Sequence, residues 1–435
     1  MRLGAGAVAA VEATLLAPAA LAAGSETGRR IRFAIVGTGI RGCDLLRAAR
    51  QVPTGVCVGA ADLYDMRHQS AKEAWGGEIE TTRDYRSFLD RKDVDAVLVA
   101  TSDHLHRRVT LDAVAAGKDV YCEKPMSHTV ADGFAMVKAV EAGKRIFQAG
   151  SQRVSSILYA KAREIYQSGR LGEVHSIDAK WNRNTPGGAW VYPVPADASP
   201  QNVDWQSFIQ DAPARPFDPV RFFRWRLFAD YSSGLGGDLF VHLLSGIQAI
   251  TGMNTVASRA YSSGGLYHFK DGREFPDFLE TLYDYPDLQV HLHCNQNNND
   301  GDEGIAFYGS KGTMVVTGRT VTFTPQDVRP QFEGYGWNGM TVAQRQQAMD
   351  EWSAAHPALP PAVVANEVES YTMPQGYNDT ADHIANFFRA VETREHVVED
   401  EVFGNNAAIG CHLANYSYFH RTVAQWDAAT RTIKA

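Results

Sequence analysis

The stretch Ile31-Arg32-Phe33-Ala34-Ile35-Val36-Gly37-Thr38-Gly39-Ile40-Arg41-Gly42 constrains this chain more than any other. Six strand-forming residues run into G-x-G-x-x-G, and a helical pattern carried by Leu45, Leu46 and Ala49 follows. Gly37 permits a tight turn, Gly39 a close backbone approach to a pyrophosphate, and Gly42 close packing of helix on strand. Around them Thr38, Ile40 and Arg41 bring the free N–H groups of a helix start toward the phosphate charge. Val56 to Ala61 reads as the second strand and delivers Asp62, 20 residues after the last glycine, where a carboxylate can accept hydrogen bonds from an adenosine ribose. Strand, glycines, helix, strand and terminal acid in register predict a dinucleotide site. The alternative is an ordinary βαβ turn with a surface aspartate. Asp62 favours NAD over NADP because a carboxylate repels a 2′-phosphate, and Arg67 lies near enough in sequence to weaken that preference and keep NADP in play.

The rest of the composition narrows the class. At 435 residues, with 44% hydrophobic and 21% charged residues, the chain can build two domains with sizeable cores. A formal charge of −8, from 42 basic against 50 acidic residues, gives no general attraction to nucleic acid or anionic membranes. The cysteines, Cys43, Cys57, Cys122, Cys294 and Cys411, are five and widely spaced, which suits buried thiols rather than a disulfide framework or CxxC metal site. Residues 3–23 are almost all Ala, Gly, Val, Leu and Pro and close on the A-x-A-like Ala20-Leu21-Ala22. Residues 1–28 are therefore expected to be an export signal, complete or truncated, which would place the protein in the periplasm or outside the cell. The alternatives are a disordered leader and a cytoplasmic protein. No later segment has the apolar length of a membrane span.

Along the chain, Val94 to Ala100 reads as a buried strand, with Thr101 to His106 as the loop at its carboxyl end and a helix over 107–116. Asp119 to Glu123 and Ile146 to Gly150 are further strands. Near-continuous apolar strands alternating with helices predict a doubly wound parallel sheet over residues 31–152. Ligands then sit beyond the carboxyl ends of its strands. Over 153–435 the pattern changes. A helix from Tyr159 to Gln167 and an alternating strand from Val174 to Trp181 precede a long ordered loop, 185–223, rich in Pro, Gly and aromatics. Strands at 279–285, 288–294, 304–308, 313–317 and 320–324 follow, with helices at 341–354 and from 380. This predicts an α+β domain with a large, mostly antiparallel open sheet, serving substrate binding and oligomerisation.

Taken together, the fingerprint, Glu123-Lys124-Pro125, Gly236-Gly237-Asp238-Leu239-Phe240-Val241-His242 and the hairpin Ala306 to Met314 resemble the Gfo/Idh/MocA family, the glucose–fructose oxidoreductases, inositol dehydrogenases and their relatives. The likeness runs over residues 31–435. It implies that Lys124, Asp238 and His242 meet at a nicotinamide, that Lys124-Pro125 is cis, and that the protein moves a hydride between a secondary alcohol of a sugar, polyol or glycoside and NAD(P). In that chemistry His242 suits the general base, Asp238 on the same helix face orients its ring, and Lys124 stabilises developing oxyanion charge. The resemblance also implies a homo-oligomer, dimer or tetramer, paired through the second-domain sheets. An NAD-using branch performs redox-assisted glycoside cleavage, by oxidation at C3, elimination and re-reduction. It tends to hold a tyrosine near the histidine, where this chain has Asp238; a distant residue such as Tyr192 could serve. The third class, a cofactor-bearing sensor without turnover, fits poorly with the intact Lys124, Asp238 and His242.

Further candidates follow from position. Thr101, His104, His106 and Glu123 fall at the ligand edge of the first sheet and are assigned to the cofactor with Lys124; His104 and His106 could equally only shape their loop. Arg153, Asn182 and Arg183, where the second domain should meet the cleft, are assigned to the sugar together with Asp238 and His242, since hydroxyls need polar partners. Trp190, Tyr192, Trp205 and the run Arg221 to Arg226 read as packing more than recognition. Asp103-His104-x-His106 and His291-x-His293-Cys294 each lack a complete ligand set, so no metal is expected.

Overall fold

A computed structural model describes residues 28–185, 189–299, 303–327, 335–357 and 368–435. The expected leader, residues 1–28, lies outside them apart from Gly28. The first sheet comprises β1 (Ile31–Val36), β2 (Gly55–Ala61), β3 (Glu80–Thr82), β4 (Ala96–Val99), β5 (Asp119–Cys122) and β6 (Phe147–Ala149). All pair in parallel in the order β3-β2-β1-β4-β5-β6. Helices α1 (Ile40–Ala49), α2 (Met66–Trp75), α3 (Arg86–Leu89), α4 (Asp103–Ala115) and α5 (Val130–Gly143) alternate with them. Every residue of β4 and β5 is buried, as expected of strands covered on both faces. The strand order reverses between β1 and β4, which opens a crevice at their carboxyl ends. One boundary differs from the sequence reading. α4 begins at Asp103, so His104 and His106 sit in its first turn rather than on a loop; Ser102 in extended conformation caps it.

The chain continues through α6 (Ile157–Gln167), β7 (Val174–Asn182), α7 (Trp205–Ile209), α8 (Pro219–Phe223) and α9 (Val241–Thr251). Then follow β8 (Arg259–Gly265), β9 (Phe278–Asp284), β10 (Gln289–Asn295), β11 (Glu303–Gly309), β12 (Gly312–Thr317) and β13 (Thr320–Pro325). Last come α10 (Val342–Ala355), β14 (Glu369–Thr372), α11 (Asp379–Thr393), α12 (Glu401–His420), β15 (Ala424–Asp427) and β16 (Thr432–Lys434). The ten strands order as β14-β13-β12-β11-β7-β10-β9-β8-β15-β16, antiparallel except for β7 with β10. β8 escaped the sequence reading because its Ser-Ser-Gly-Gly end has low strand propensity, and β14 to β16 are too short to show periodicity. Strict alternation buries Leu279, Tyr283, Val290, Leu292, Ile305 and Phe307 on one face, beneath α6, α9 and α12. The opposite face carries exposed Tyr261, Leu282, Tyr308 and Val315. All five cysteines are free and buried, and burial pushes the Cys57 thiol up to about 12.

The two layers are tied together by the chain's return. α11 buries Ile384, Phe387 and Phe388 in the same core as Ile31 and Phe33 of β1 and Leu45 of α1. Its Phe388 ring lies 5.2 Å from that of Phe33 and fills the space a side chain at Gly55 would need. Between α11 and α12, Glu399 is fully buried; Ser151 N donates to one carboxylate oxygen at 3.1 Å, and the other oxygen has no partner. Burial without a compensating cation pushes this carboxyl up to about 8. Between its unfolded value near 4.3 and about 8 the folded state therefore keeps a proton that the unfolded state releases, and stability falls as pH rises, by about 1.4 kcal/mol per unit. Glu399→Gln removes that dependence, so its stability relative to the parent protein should climb steadily from pH 5 to pH 8 in urea unfolding. A difference that stays flat with pH would mean that Glu399 is ionised in the fold.

Candidate active site

At the switch crevice Gly37 adopts φ +90°, a conformation that favours glycine. A Cβ there would come within 2.5 Å of the Ala100 carbonyl, and one on Gly42 within 2.0 Å of the Gly37 carbonyl. Both positions therefore require glycine on steric grounds, Gly37 for the turn and Gly42 for the packing of α1 on β1. Gly39 stands at the N-cap of α1, which has no side-chain cap and no acid in its first turn, and Gly39, Ile40 and Arg41 border a cavity of about 710 Å³. Gly37, Gly39, Ile40, Arg41, Asp62 and Thr101 all line that cavity. Asp62 is buried and accepts from Thr38 N at 2.7 Å and Tyr64 N at 3.0 Å, which fixes the glycine turn to the end of β2. Arg67 lies 3.5 Å from Asp62 and its guanidinium stacks over Phe222 and Phe223. An uncapped helix start, a crevice that admits only glycine, and a carboxylate at the end of the next strand fit a dinucleotide.

The other end of the cavity is built by two distant segments. Lys124-Pro125 is cis, as the family likeness implies, and follows β5. Facing it, Gly236–Phe240 forms a π-helical turn that runs into α9. Such turns concentrate at functional sites. A Cβ on Gly237 would meet Pro125 at 3.0 Å, so this glycine lets the turn close onto the proline. Lys124 Nζ then donates to the Asp238 carbonyl at 2.7 Å and to its carboxylate at 2.9 Å. Trp190 Nε1 donates to the same carboxylate at 3.0 Å and Arg226 Nε at 3.3 Å. Burial alone would push the Asp238 carboxyl up, but Lys124 and Arg226 outweigh it and hold it well below the usual range.

His242, one turn further on, is 6% exposed and lines the cavity. Burial, with Lys124 and Arg153 nearby, drives its imidazole well below its usual value, so the ring is neutral at pH 7. Its Nδ1 is buried with no hydrogen-bond partner. The expected orientation of this ring by Asp238 takes a different form, because the carboxylate is committed to two cations and an indole. Trp181 packs against the imidazole instead, 5.0 Å between centroids, and Arg153 backs Trp181 while pairing with Glu303 at 2.5 Å. An ammonium and a neutral imidazole at one end of a dinucleotide-sized cavity can hold an alcohol oxygen and take its proton.

The cavity thus gathers Glu123, Lys124, Arg183, Asp238 and His242 with the glycine turn. Thr38, Gly42, Arg153 and Asn182 lie behind or beside the lining. His104 and His106 do not line it. The His104 ring nitrogens meet Phe208 O and Ser102 Oγ, and burial takes its pKa down to about 4; those of His106 meet Pro125 O and Thr101 O. His106 therefore ties the strand ends together at the Pro125 turn. Trp190, Tyr192, Trp225 and Arg226 were under-read as packing. Trp190 has φ +65°, rare for a bulky residue, and Tyr192, Trp225 and Arg226 line the cavity. Gln152 also lines it, accepting from Arg41 at 3.1 Å, while Arg41 pairs with Glu123 at 2.6 Å. Nothing local in the sequence marks these contacts, since each joins segments far apart in the chain.

Residues 31–151 match the family model described as "Oxidoreductase family, NAD-binding Rossmann fold". The inositol 2-dehydrogenase of Salmonella paratyphi B is 29% identical over 206 residues, 47% of this chain and 56% of that protein. The chain thus matches little more than half the length of such curated relatives. A levoglucosan dehydrogenase in complex with NADH and levoglucosan superposes with TM-score 0.65 at 16% identity, covering 91% of this chain and 99% of that one. The aldose-aldose oxidoreductase of Caulobacter crescentus gives 0.65 at 16% identity over 91% and 100%. These likenesses show a shared fold over 91% of this chain.

Proposed function

We propose that the chain, whose residues 31–151 match the NAD-binding Rossmann model of the Gfo/Idh/MocA oxidoreductases, is an NAD-dependent dehydrogenase or oxidoreductase acting on a secondary alcohol of a sugar, polyol or glycoside. The observation that supports this most is the meeting of Lys124, Asp238 and His242 at one end of the cavity whose other end is the glycine turn. NAD held by Gly37, Gly39, Ile40, Arg41 and Asp62 supplies the hydride acceptor. Lys124 donates to the substrate oxygen and stabilises the charge that grows as its proton leaves. His242 takes that proton, which its neutral state permits. Asp238 holds the Lys124 ammonium in place, with Trp190 and Arg226 fixing the carboxylate. Arg183, Tyr192, Trp225 and Arg226 offer the mixture of hydrogen-bonding and aromatic surface that suits a sugar.

His242→Ala and Lys124→Ala should each lower turnover by about 10²- to 10⁴-fold while leaving bound cofactor in place. The low proton affinity of His242 carries a sign: kcat/KM should hold its plateau below pH 6.5, where an ordinary histidine base would already be losing activity. The runner-up, redox-assisted glycoside cleavage, draws on Tyr192 in the cavity wall. A panel of free sugars, polyols and aryl glycosides, followed at the nicotinamide absorbance and by aglycone release, separates the two. NADH formed with a free sugar, or reoxidised by a second one, supports the dehydrogenase. Aglycone release at constant NADH overturns it.

The proposal extends to cofactor choice, compartment and assembly. An exported enzyme has no pool of free nicotinamide, so NAD should be retained through purification; mass spectrometry of the denatured protein should find NAD, and a majority of NADP would overturn the role given to Asp62. The exposed Tyr261, Leu282, Tyr308 and Val315 on the outer sheet face support a homo-oligomer paired through that face. Sedimentation at micromolar concentration should show a dimer or tetramer, and a lone 47.8 kDa species would count against it.

A further inference from the structure

We propose that Glu280, His291 and His293 form a binding site for a divalent transition-metal ion of the zinc class on the outer face of the ten-stranded sheet. Along β10 the inner residues Val290, Leu292 and Cys294 are buried, so His291 and His293, two apart, share the outer face. Their ring centroids lie 6.0 Å apart. Sequence alone offers only this His-x-His, which is an incomplete ligand set. The third ligand comes from the neighbouring strand. Antiparallel pairing places Glu280 of β9 directly opposite His293, and its carboxylate reaches diagonally to within 3.3 Å of His291 Nε2.

One donor atom from each residue lies within 4.8 Å of the other two. Bonds of about 2.1 Å in a tetrahedral site put ligand atoms roughly 3.4 Å from one another. The Glu280–His291 separation already has that value, and a rotamer adjustment of His293 completes the set. Two imidazoles and a carboxylate are the ligands zinc favours over magnesium or calcium, and three ligands leave a fourth position that points away from the sheet, toward the face through which the homo-oligomer proposed above pairs. Paired strands fix the spacing of all three residues, so little order must be gained on binding. Asp178 stands opposite His291 on β7, with Oδ1 3.9 Å from Nδ1, on the ring nitrogen that does not face Glu280. A carboxylate there orients a ligating imidazole. Against binding works Lys180, opposite His293 on the same strand, whose ammonium repels a cation.

The test uses full-length protein free of any histidine tag, stripped with EDTA and titrated with ZnCl2 by calorimetry and equilibrium dialysis. The wild type should take up one zinc per chain. His291→Ala, His293→Ala and Glu280→Gln should each weaken binding by about tenfold or more. Lys180→Gln should tighten it several-fold, a gain that no loss of folding can imitate. Zinc should raise Tm in the wild type and not in the His291→Ala/His293→Ala double variant. Circular dichroism should show the double variant folded. Equal zinc affinity in the wild type and the double variant, or no uptake by either, overturns the site. None of these readouts involves hydride transfer, so they stand or fall apart from the function proposed above.

Discussion

One carboxylate holds the active cleft together. Asp238 receives Lys124 from the end of β5, Arg226 from the segment before the π-helical turn, and Trp190 from the loop after β7. Three separate stretches, one at an end of the first sheet and two from the chain beyond that sheet, converge on one buried charge. Removing any one cation would leave a buried carboxylate under-compensated, which is among the larger costs a folded protein can incur. The same arrangement keeps a protonatable group neutral beside it. Burial, with Lys124 and Arg153 close to His242, disfavours the charged imidazolium, so the ring stays unprotonated and available as a base. The order at Asp238 and the neutral state of His242 both draw on Lys124, with burial the larger influence on the imidazole.

Five of the six strands of the first sheet were legible in the sequence, and only the three-residue edge strand β3 was not. Their signals are local: apolar runs of β4 and β5 length, glycines whose neighbours leave no room for a Cβ, and an acid at a strand end. The second sheet was legible wherever strict alternation lasted five residues or more, and lost at the glycine-rich β8 and the short edge strands. Within the site, Lys124, Asp238 and His242 could be named because each belongs to a short motif. Their pairing could not. That the Asp238 carboxylate pairs with Lys124 is a contact between segments more than a hundred residues apart.

The histidines make the same point from the other side. His104 and His106 looked alike beside the ligand edge, yet both spend their ring nitrogens on backbone carbonyls or a nearby hydroxyl, inside the first turn of α4. Placement near a crevice does not decide whether a side chain faces it: in the same turn of α4, Asp103 and Leu105 line the cavity while His104 and His106 do not.

The return of α11 to the first sheet changes what counts as a unit of this protein. Its phenylalanines share a core with Ile31 and Phe33 of β1 and Leu45 of α1, which would otherwise lose that cover. A gene fragment cut after β6 would encode the whole nucleotide fingerprint and still lack the lid of its own core. Any chimera that grafts this nucleotide-binding half onto another substrate half must therefore carry residues 379–393 with it. The modular boundary of the fold is drawn in space, across a helix borrowed from near the other end of the chain.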